Sequence, residues 1–288
     1  MTEPTNTATT ATPTEATEVR PAPASPSVPE RGRRSGRPSR LGRILAVLAG
    51  GIVFLVVWEL IVLIGGYQPF ILPDPPTVFG RFVRAWTEGT MGPHVLATLQ
   101  EIALGFVVGV AAGLVAGYVL ARSRMANLVL SPYLVAAQST PILALAPLFA
   151  LWFGSGLLTV VIICALIVFF PVAVSTMVGL RNVDARLMEL ARSLRATRRQ
   201  VLVTLEVPAA LPSIMGGIRV GVTLATVGAI IGEWAGADRG LGYLINLSRG
   251  SLFDIPLMFA TLLTTALLGV AFYGLTVLIE RRLVGDRG

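Results

Sequence analysis

The 288 residues are 54% hydrophobic and 14% charged, with a mean hydropathy of +0.75 and a formal net charge of +7. A soluble domain carries about 25% charged residues, so this chain has too few to clothe a water-facing surface, and its apolar side chains must face lipid. Every basic residue is Arg, and without Lys the chain has neither the phosphate-binding Lys of a P-loop nor a Schiff-base nucleophile, so any ATP that drives it is bound by another chain.

Residues 1–42 read as a tail apart from the rest. Thr, Pro and Ala dominate it, and it has no Leu, Ile or Phe before Leu41, so it cannot bury enough apolar surface to offset ordering and is expected to be disordered. Its basic end, Arg31, Arg33, Arg34, Arg37, Arg40 and Arg43, has no interleaved aromatic residue. That pattern points to anchoring beside membrane lipid rather than to nucleic acid. The membrane domain is expected over residues 43–288.

The first apolar run, about 44–66, is longer than a signal-peptide core and long enough to span. It carries Glu59. In the segment that follows, Pro73, Pro75 and Pro76 break any helix. Residues 77–88 then read as a short interfacial helix with Phe79, Phe82, Val83 and Trp86 on one face and Arg81 and Arg84 elsewhere. Five more spans are expected at about 95–121, 126–152, 157–180, 209–235 and 256–279, giving an all-α integral membrane protein of six helices. In the second, Gly105, Gly109, Gly113 and Gly117 recur every fourth residue and form a smooth face for close helix packing. Pro141, Pro147 and Pro171 fall within spans, where neighbouring helices satisfy the freed backbone groups. Cys164, alone in an apolar run, reads as a small buried hydrophobe, and His94 is the only His, so no His-based metal site exists within one chain.

Charge orients the spans. The six-Arg cluster, Arg122 and Arg124, the arginines of the 181–207 loop, and Arg281, Arg282 and Arg287 fall on one side. Arg81, Arg84, Arg239 and Arg249 fall on the other. By the positive-inside rule, both termini and the 181–207 loop are cytoplasmic.

That loop is the most informative segment. Leu187, Leu190, Ala191 and Leu194 fall at i, i+3, i+4 and i+7, one apolar stripe on a short helix, with Asp184 placed as its N-cap and Glu189 on another face. Pro208 and Pro212 turn the chain into the fifth span. Such a helix either lies on the membrane surface or presents a knob to a partner, and periodicity leaves both open. Among polar residues within spans, Gln138, Ser139 and Thr140 are candidates for a translocation path, with helix–helix hydrogen bonding as the competing reading. Glu233 is a candidate gate or binding-protein contact at the outer end of the fifth span, where a charge reaches water. Arg219 is expected to snorkel, and Gln100 and Glu101 to be solvated at the interface.

The loop resembles the EAA loop of binding-protein-dependent ABC permeases. Glu189-Leu190-Ala191 stands at the Glu-Ala-Ala place, Arg195 at the place of the usual Gly, Leu205 at the Ile place and Val207-Pro208 at the Leu-Pro place, with the spacing kept. Arg195 departs from the pattern. In the family the Gly permits a turn between two short helices, so here the two helices are expected to run on as one. Gln138-Ser139-Thr140-Pro141, Ala146-Pro147-Leu148, Phe169-Phe170-Pro171, Gly232-Glu233-Trp234 and Gly240-Leu241-Gly242-Tyr243 resemble, in order, the nitrate/sulfonate/taurine-type permeases. That subfamily includes permeases for thiamine pyrimidine precursors, towards which the wording around Phe169 and Gly240 leans.

The resemblance implies an ABC type I importer permease fold with a cytoplasmic coupling helix between helices four and five. It implies a homodimer of this chain, two copies of an ATP-binding subunit and an extracytoplasmic solute-binding protein. It assigns ATPase docking to Asp184, Leu187, Glu189, Leu190, Ala191, Leu194, Arg195, Ala196 and Pro208, and it implies no cofactor, metal or catalytic residue in this chain. The alternative is an ion-gradient-driven transporter or channel, for which Glu59, the deepest carboxylate, is the main argument.

Overall fold

The structure, a computed structural model, describes residues 40–284. The expectations for residues 1–39, including the disordered tail and Arg31, Arg33, Arg34 and Arg37, lie outside them. The described chain divides into two units, one ending at Gly50 and one beginning at Gly51. Residues 40–50 of the first are helical throughout. The packing below belongs to the second, and no strand occurs among the described residues.

The helices are α1 (Arg40–Gly65), α2 (Pro75–Thr87), α3 (Met91–Arg122), α4 (Arg124–Ser139), α5 (Ile142–Phe153), α6 (Leu157–Arg181), α7 (Ala185–Ser193), α8 (Arg198–Val201), α9 (Val207–Gly236), α10 (Leu241–Gly250) and α11 (Ile255–Val284). A π-turn over Leu202–Glu206 joins α8 to α9. Five stretches are long and apolar enough to cross a bilayer: Leu45–Gly65, α3, α6, Arg198–Gly236 and Ile255–Arg282.

The third expected span, 126–152, is not one continuous helix. It is α4 and α5, bent by 97°. Pro141 has no N–H to continue the ladder and pushes Thr140 into extended backbone, at φ −80° and ψ 126°. The Ser139 and Thr140 hydroxyls turn back to bond the carbonyls of Val135 and Ala136, at 3.0 and 3.1 Å.

The small-residue stripe fixes the packing of α3. A Cβ placed on Gly105 would stand 2.5 Å from Cys164 Cβ, one on Gly109 2.6 Å from the Ala165 carbonyl oxygen, and one on Gly117 2.6 Å from Thr176 Cβ. Only glycine lets the two backbones approach so closely. Residue numbers rise together along the contact, so α3 and α6 run parallel. The chain between them must therefore return from one end of the bundle to the other. The bent pair α4–α5 makes that return, which completes six crossings.

On its other side α6 meets α9 antiparallel. Gly217 sits against Ser175, Gly228 against Cys164 and Gly232 against Val160. Val160, Cys164, Val168 and Val172 of α6 form the central core with Ile102, Ala225 and Ala229. Cys164 is fully buried, and its thiol donates to the Ala225 carbonyl at 3.3 Å. It is the small buried core residue that its apolar run implied.

The helix α2 begins at Pro75, capped by Asp74, whose carboxylate accepts the Thr77 N–H at 3.2 Å. Val78 and Ala85 are buried, while Phe79 and Trp86 are exposed and Phe82, in ring contact with both, is half-buried. Arg81 pairs with Asp254, at the start of α11, at 2.8 Å. Arg219 was expected to snorkel. Its guanidinium forks onto the Glu280 carboxylate and ties α9 to α11.

Candidate functional site: the loop between the fourth and fifth crossings

The loop leaves α6 at Arg181 and enters α9 at Val207. Its first helix, α7, is fixed at both ends. Asp184 is its N-cap, accepting the Arg186 N–H at 2.8 Å. At the other end, Leu194 is the C-cap. The N–H of Arg195 bonds the Arg192 carbonyl at 2.9 Å, and that of Ala196 bonds the Ala191 carbonyl at 3.0 Å. This pair of bonds is a Schellman motif, which requires left-handed backbone at the residue after the cap. Arg195 supplies it, at φ +53°.

The expectation that α7 and α8 run on as one helix is therefore corrected. The turn survives without the glycine, because two backbone bonds and the cap of the next helix hold Arg195 in place. That next cap is a reciprocal box: Thr197 accepts the Gln200 N–H at 3.3 Å, and Gln200 Oε1 accepts the Thr197 N–H at 2.8 Å.

The apolar stripe of α7 faces away from the protein. Leu187 is 44% exposed, Leu190 57% and Leu194 72%, and α7 has no buried residue. Glu189 and Arg195 are also exposed, Ala191 and Ala196 half-buried, and Pro208 exposed. The site is a helix capped at both ends with an exposed apolar face, joined to α6 by Asn182, Val183 and Asp184 and to α9 by α8 and the π-turn.

The base of the loop is clamped to the bundle. Glu206, the last residue of the π-turn, is buried and accepts two bonds from Arg122 at the end of α3, at 3.0 and 2.5 Å. Arg181 donates to the Leu120 carbonyl at 2.6 Å, closing the C-terminus of α3. Neither tie was read from the sequence. Arg122 and Glu206 stand far apart along the chain, and no periodicity links them.

The candidates for the path lie elsewhere. Gln138, Ser139 and Thr140 sit at the α4–α5 break and are exposed. Their hydroxyls bond their own helix, as described above, and not a neighbouring one. At the opposite end of the bundle, Glu233 does not reach water, contrary to expectation: it is 2% exposed. Its Oε1 accepts the Thr98 hydroxyl at 2.5 Å and its Oε2 accepts the Gly242 N–H. Thr98 in turn accepts the Leu241 N–H at 2.8 Å, and His94 Nδ1 accepts the Gly240 N–H at 3.1 Å. Glu233 thus staples the start of α10 to α9 and α3. Gly240 and Gly242 pass close beside its carboxylate, where a side chain would collide with it. Glu101, expected at a solvated interface, is also buried, and its carboxyl adjoins that of Glu233.

Six crossings, with a short outward-facing helix between the fourth and fifth, define a multi-pass membrane protein. The chain belongs to the family described as the binding-protein-dependent transport system inner membrane component, whose model matches residues 109–285. It is 44% identical to the riboflavin transport system permease protein RibX of Chloroflexus aurantiacus, over 80% of this chain and 85% of that one. It is 36% identical to the formylaminopyrimidine transport permease protein ThiX of Halalkalibacterium halodurans, over 76% and 86% of the two chains. Its fold is shared with the MetNI methionine ABC transporter in an inward-facing conformation, with a TM-score of 0.59 at 20% identity, covering 67% of this chain and 95% of that one. The chain is thus a multi-pass inner-membrane permease subunit of an ABC importer, working with an ATP-binding subunit and a solute-binding protein. The reading as an ion-gradient-driven transporter or channel falls away.

Proposed function

We propose that two copies of this chain form the path of an importer for a small heterocyclic solute, with α7 of each copy seated in a groove of an ATP-binding subunit. The observation that carries the docking is the exposed Leu187–Leu190–Leu194 face on a helix locked by caps at both ends. In this reading Asp184, Arg195 and Ala196 hold its shape, Leu187, Leu190, Ala191 and Leu194 fill the groove, Glu189 makes a polar contact at its edge, and Pro208 turns the chain into the fifth crossing. The end that carries the loop, Arg122, Arg124, Arg281 and Arg282 is cytoplasmic, and both termini lie there. Hydrolysis takes place in the partner, and this chain catalyses no reaction.

Closure of two ATP-binding subunits draws the two α7 helices together. The clamps at Glu206 and Arg181 pass that displacement into α9 and α3 as rigid-body motion. The α4–α5 break supports a path role for Gln138, Ser139 and Thr140. Non-helical backbone at membrane depth is tolerated only where protein covers it or it lines a water-filled cavity. In one copy these residues are exposed, so the second copy or the path itself must meet them. Glu233 shapes the outer wall of the path.

Two relatives named for heterocycles, a flavin and a pyrimidine, favour that solute class over aliphatic sulfonates. The test is ATP-dependent uptake by cells expressing the chain with its ATP-binding subunit and binding protein. Uptake of riboflavin or formylaminopyrimidine is expected, with little of taurine. Uptake of taurine alone would overturn the solute class.

A further inference from the structure

The start of α10 has no side-chain cap of its own. Its N-cap is Gly240, and the amides at a helix start need acceptors from elsewhere. Other helices supply them. Gly240 donates to His94 Nδ1 at 3.1 Å, Leu241 to Thr98 Oγ1 at 2.8 Å, and Gly242 to the Glu233 carboxylate. His94 and Thr98 stand one turn apart on the same face of α3. Together these bonds hold the turn between α9 and α10 against the bundle.

His94 is the one acceptor among the three that ordinary acid removes. Its Nδ1 accepts only with a free lone pair, so the ring is neutral and its proton sits on Nε2. A second proton would land on Nδ1 and set donor against donor. The ring is half-buried and stacks on Tyr243, with centroids 5.8 Å and planes 18° apart. The other titratable and charged groups on the elements around it are Asp238 and Arg239 on the turn, Glu233 on α9, Glu101 on α3 and Glu88 at the end of α2. Among the described residues no carboxylate forms an ion pair with the ring, and Arg239 is a like charge beside it. Histidine ordinarily changes charge between about pH 5 and 8, and His94 is the only one in the chain.

We infer that His94 is a proton-operated latch: neutral, it holds the α9–α10 turn to α3, and protonated, it lets the turn go. The bond is present at neutral pH and is lost as pH falls through the titration of the ring. Thr98 and Glu233 keep α10 seated, so acid loosens the turn around Gly240 without unfolding the bundle. The turn lies at the end opposite the loop. On the orientation proposed above, on which this step rests, the latch reads the pH outside the cell, and uptake falls in acid as the outer wall loses its shape.

The test uses the complete importer in lipid nanodiscs as the unaltered protein, as His94→Asn and as His94→Phe. Asn places an acceptor oxygen where Nδ1 stands but does not titrate, whereas Phe keeps a ring on Tyr243 and accepts nothing. Hydrogen exchange of the Gly240 amide is compared between the proteins at matched pH, at about 8 and about 5. At the higher pH the unaltered protein and His94→Asn should protect the amide alike, with exchange about tenfold faster in His94→Phe, as expected for one lost hydrogen bond. At the lower pH the unaltered protein should match His94→Phe, while His94→Asn stays protected. Uptake of riboflavin, formylaminopyrimidine and taurine by cells at the same two outer pH values reads the consequence. Whichever solute is carried should show a loss in acid that His94→Asn abolishes. Equal exchange in the unaltered protein and His94→Phe at the higher pH, or an equal response to acid in the unaltered protein and His94→Asn, would overturn the latch. Exchange that follows pH as expected, with uptake indifferent to outer pH, would overturn the outer sensing and the orientation it rests on.

Discussion

Arg122, at the end of α3, and Glu206, the last residue of the π-turn before α9, form a two-bond ion pair that crosses from the bundle to the base of the loop. Glu206 is 4% exposed, whereas the Arg122 side chain is 41% exposed. The pair is buried on one side and wet on the other. Its net contribution should fall below that of a fully buried pair, while loss of either member strands the other.

Removing Arg122 leaves a buried carboxylate without its partner. Arg122→Ala is expected to lower stability by about 2 kcal/mol, within the range for hydrogen bonds to charged groups. Glu206→Gln should cost less than that. The double variant should cost less than the sum, because the two act on one interaction. Thermal unfolding of the four proteins in detergent measures the cycle. Strict additivity would show that the pair does not hold the loop base.

Arg195 carries left-handed backbone, which costs an L-residue about 1–2 kcal/mol relative to glycine. Arg195→Gly should relieve that strain and slow exchange of the Ala196 amide, bonded to Ala191, by about fivefold. Arg195→Val should speed it, because a β-branched side chain tolerates this backbone poorly. Hydrogen exchange at that amide reads both.

The sequence carried the loop's position, its apolar stripe and its N-cap, because all three depend on residues close together in the chain. It did not carry the turn at Arg195. There the local preference of an L-residue is overruled by two backbone bonds and the neighbouring Thr197–Gln200 box, which single-residue propensity cannot weigh. The six crossings were legible from apolar length, but the break within the third was not, because a proline such as Pro141 is also tolerated inside a continuous span. Glu233 and Glu101 were misplaced for a different reason. Their burial depends on Thr98 and on the glycine-lined start of α10, brought together only by the fold.

Asp74 caps α2 outside the spanning helices. The Thr77 hydroxyl first, and the Thr77 N–H with it, hold its carboxyl below the ordinary value of 3.8. A folded-state value lower than the unfolded one means that ionised Asp74 stabilises the fold. That contribution is fully present above 3.8 and is lost as pH falls through the folded value. At neutral pH, Asp74→Ala should cost about 1 kcal/mol. The difference between the two proteins should vanish in acid. Thermal unfolding across pH checks this, and a difference that grows in acid would reverse the assigned sign.

The claim that α7 is the seat of the ATP-binding subunit rests on the exposed Leu190 and its neighbours, and it is tested most directly by co-purification. The chain is expressed with its ATP-binding subunit as the unaltered protein, as Leu190→Glu, which charges the apolar face without threatening the bundle, and as Leu190→Pro, which breaks α7. Both variants should reach the membrane in normal amount and lose the ATP-binding subunit and ATP-dependent uptake together. Retention of the subunit at full stoichiometry by both variants would contradict the docking role of α7.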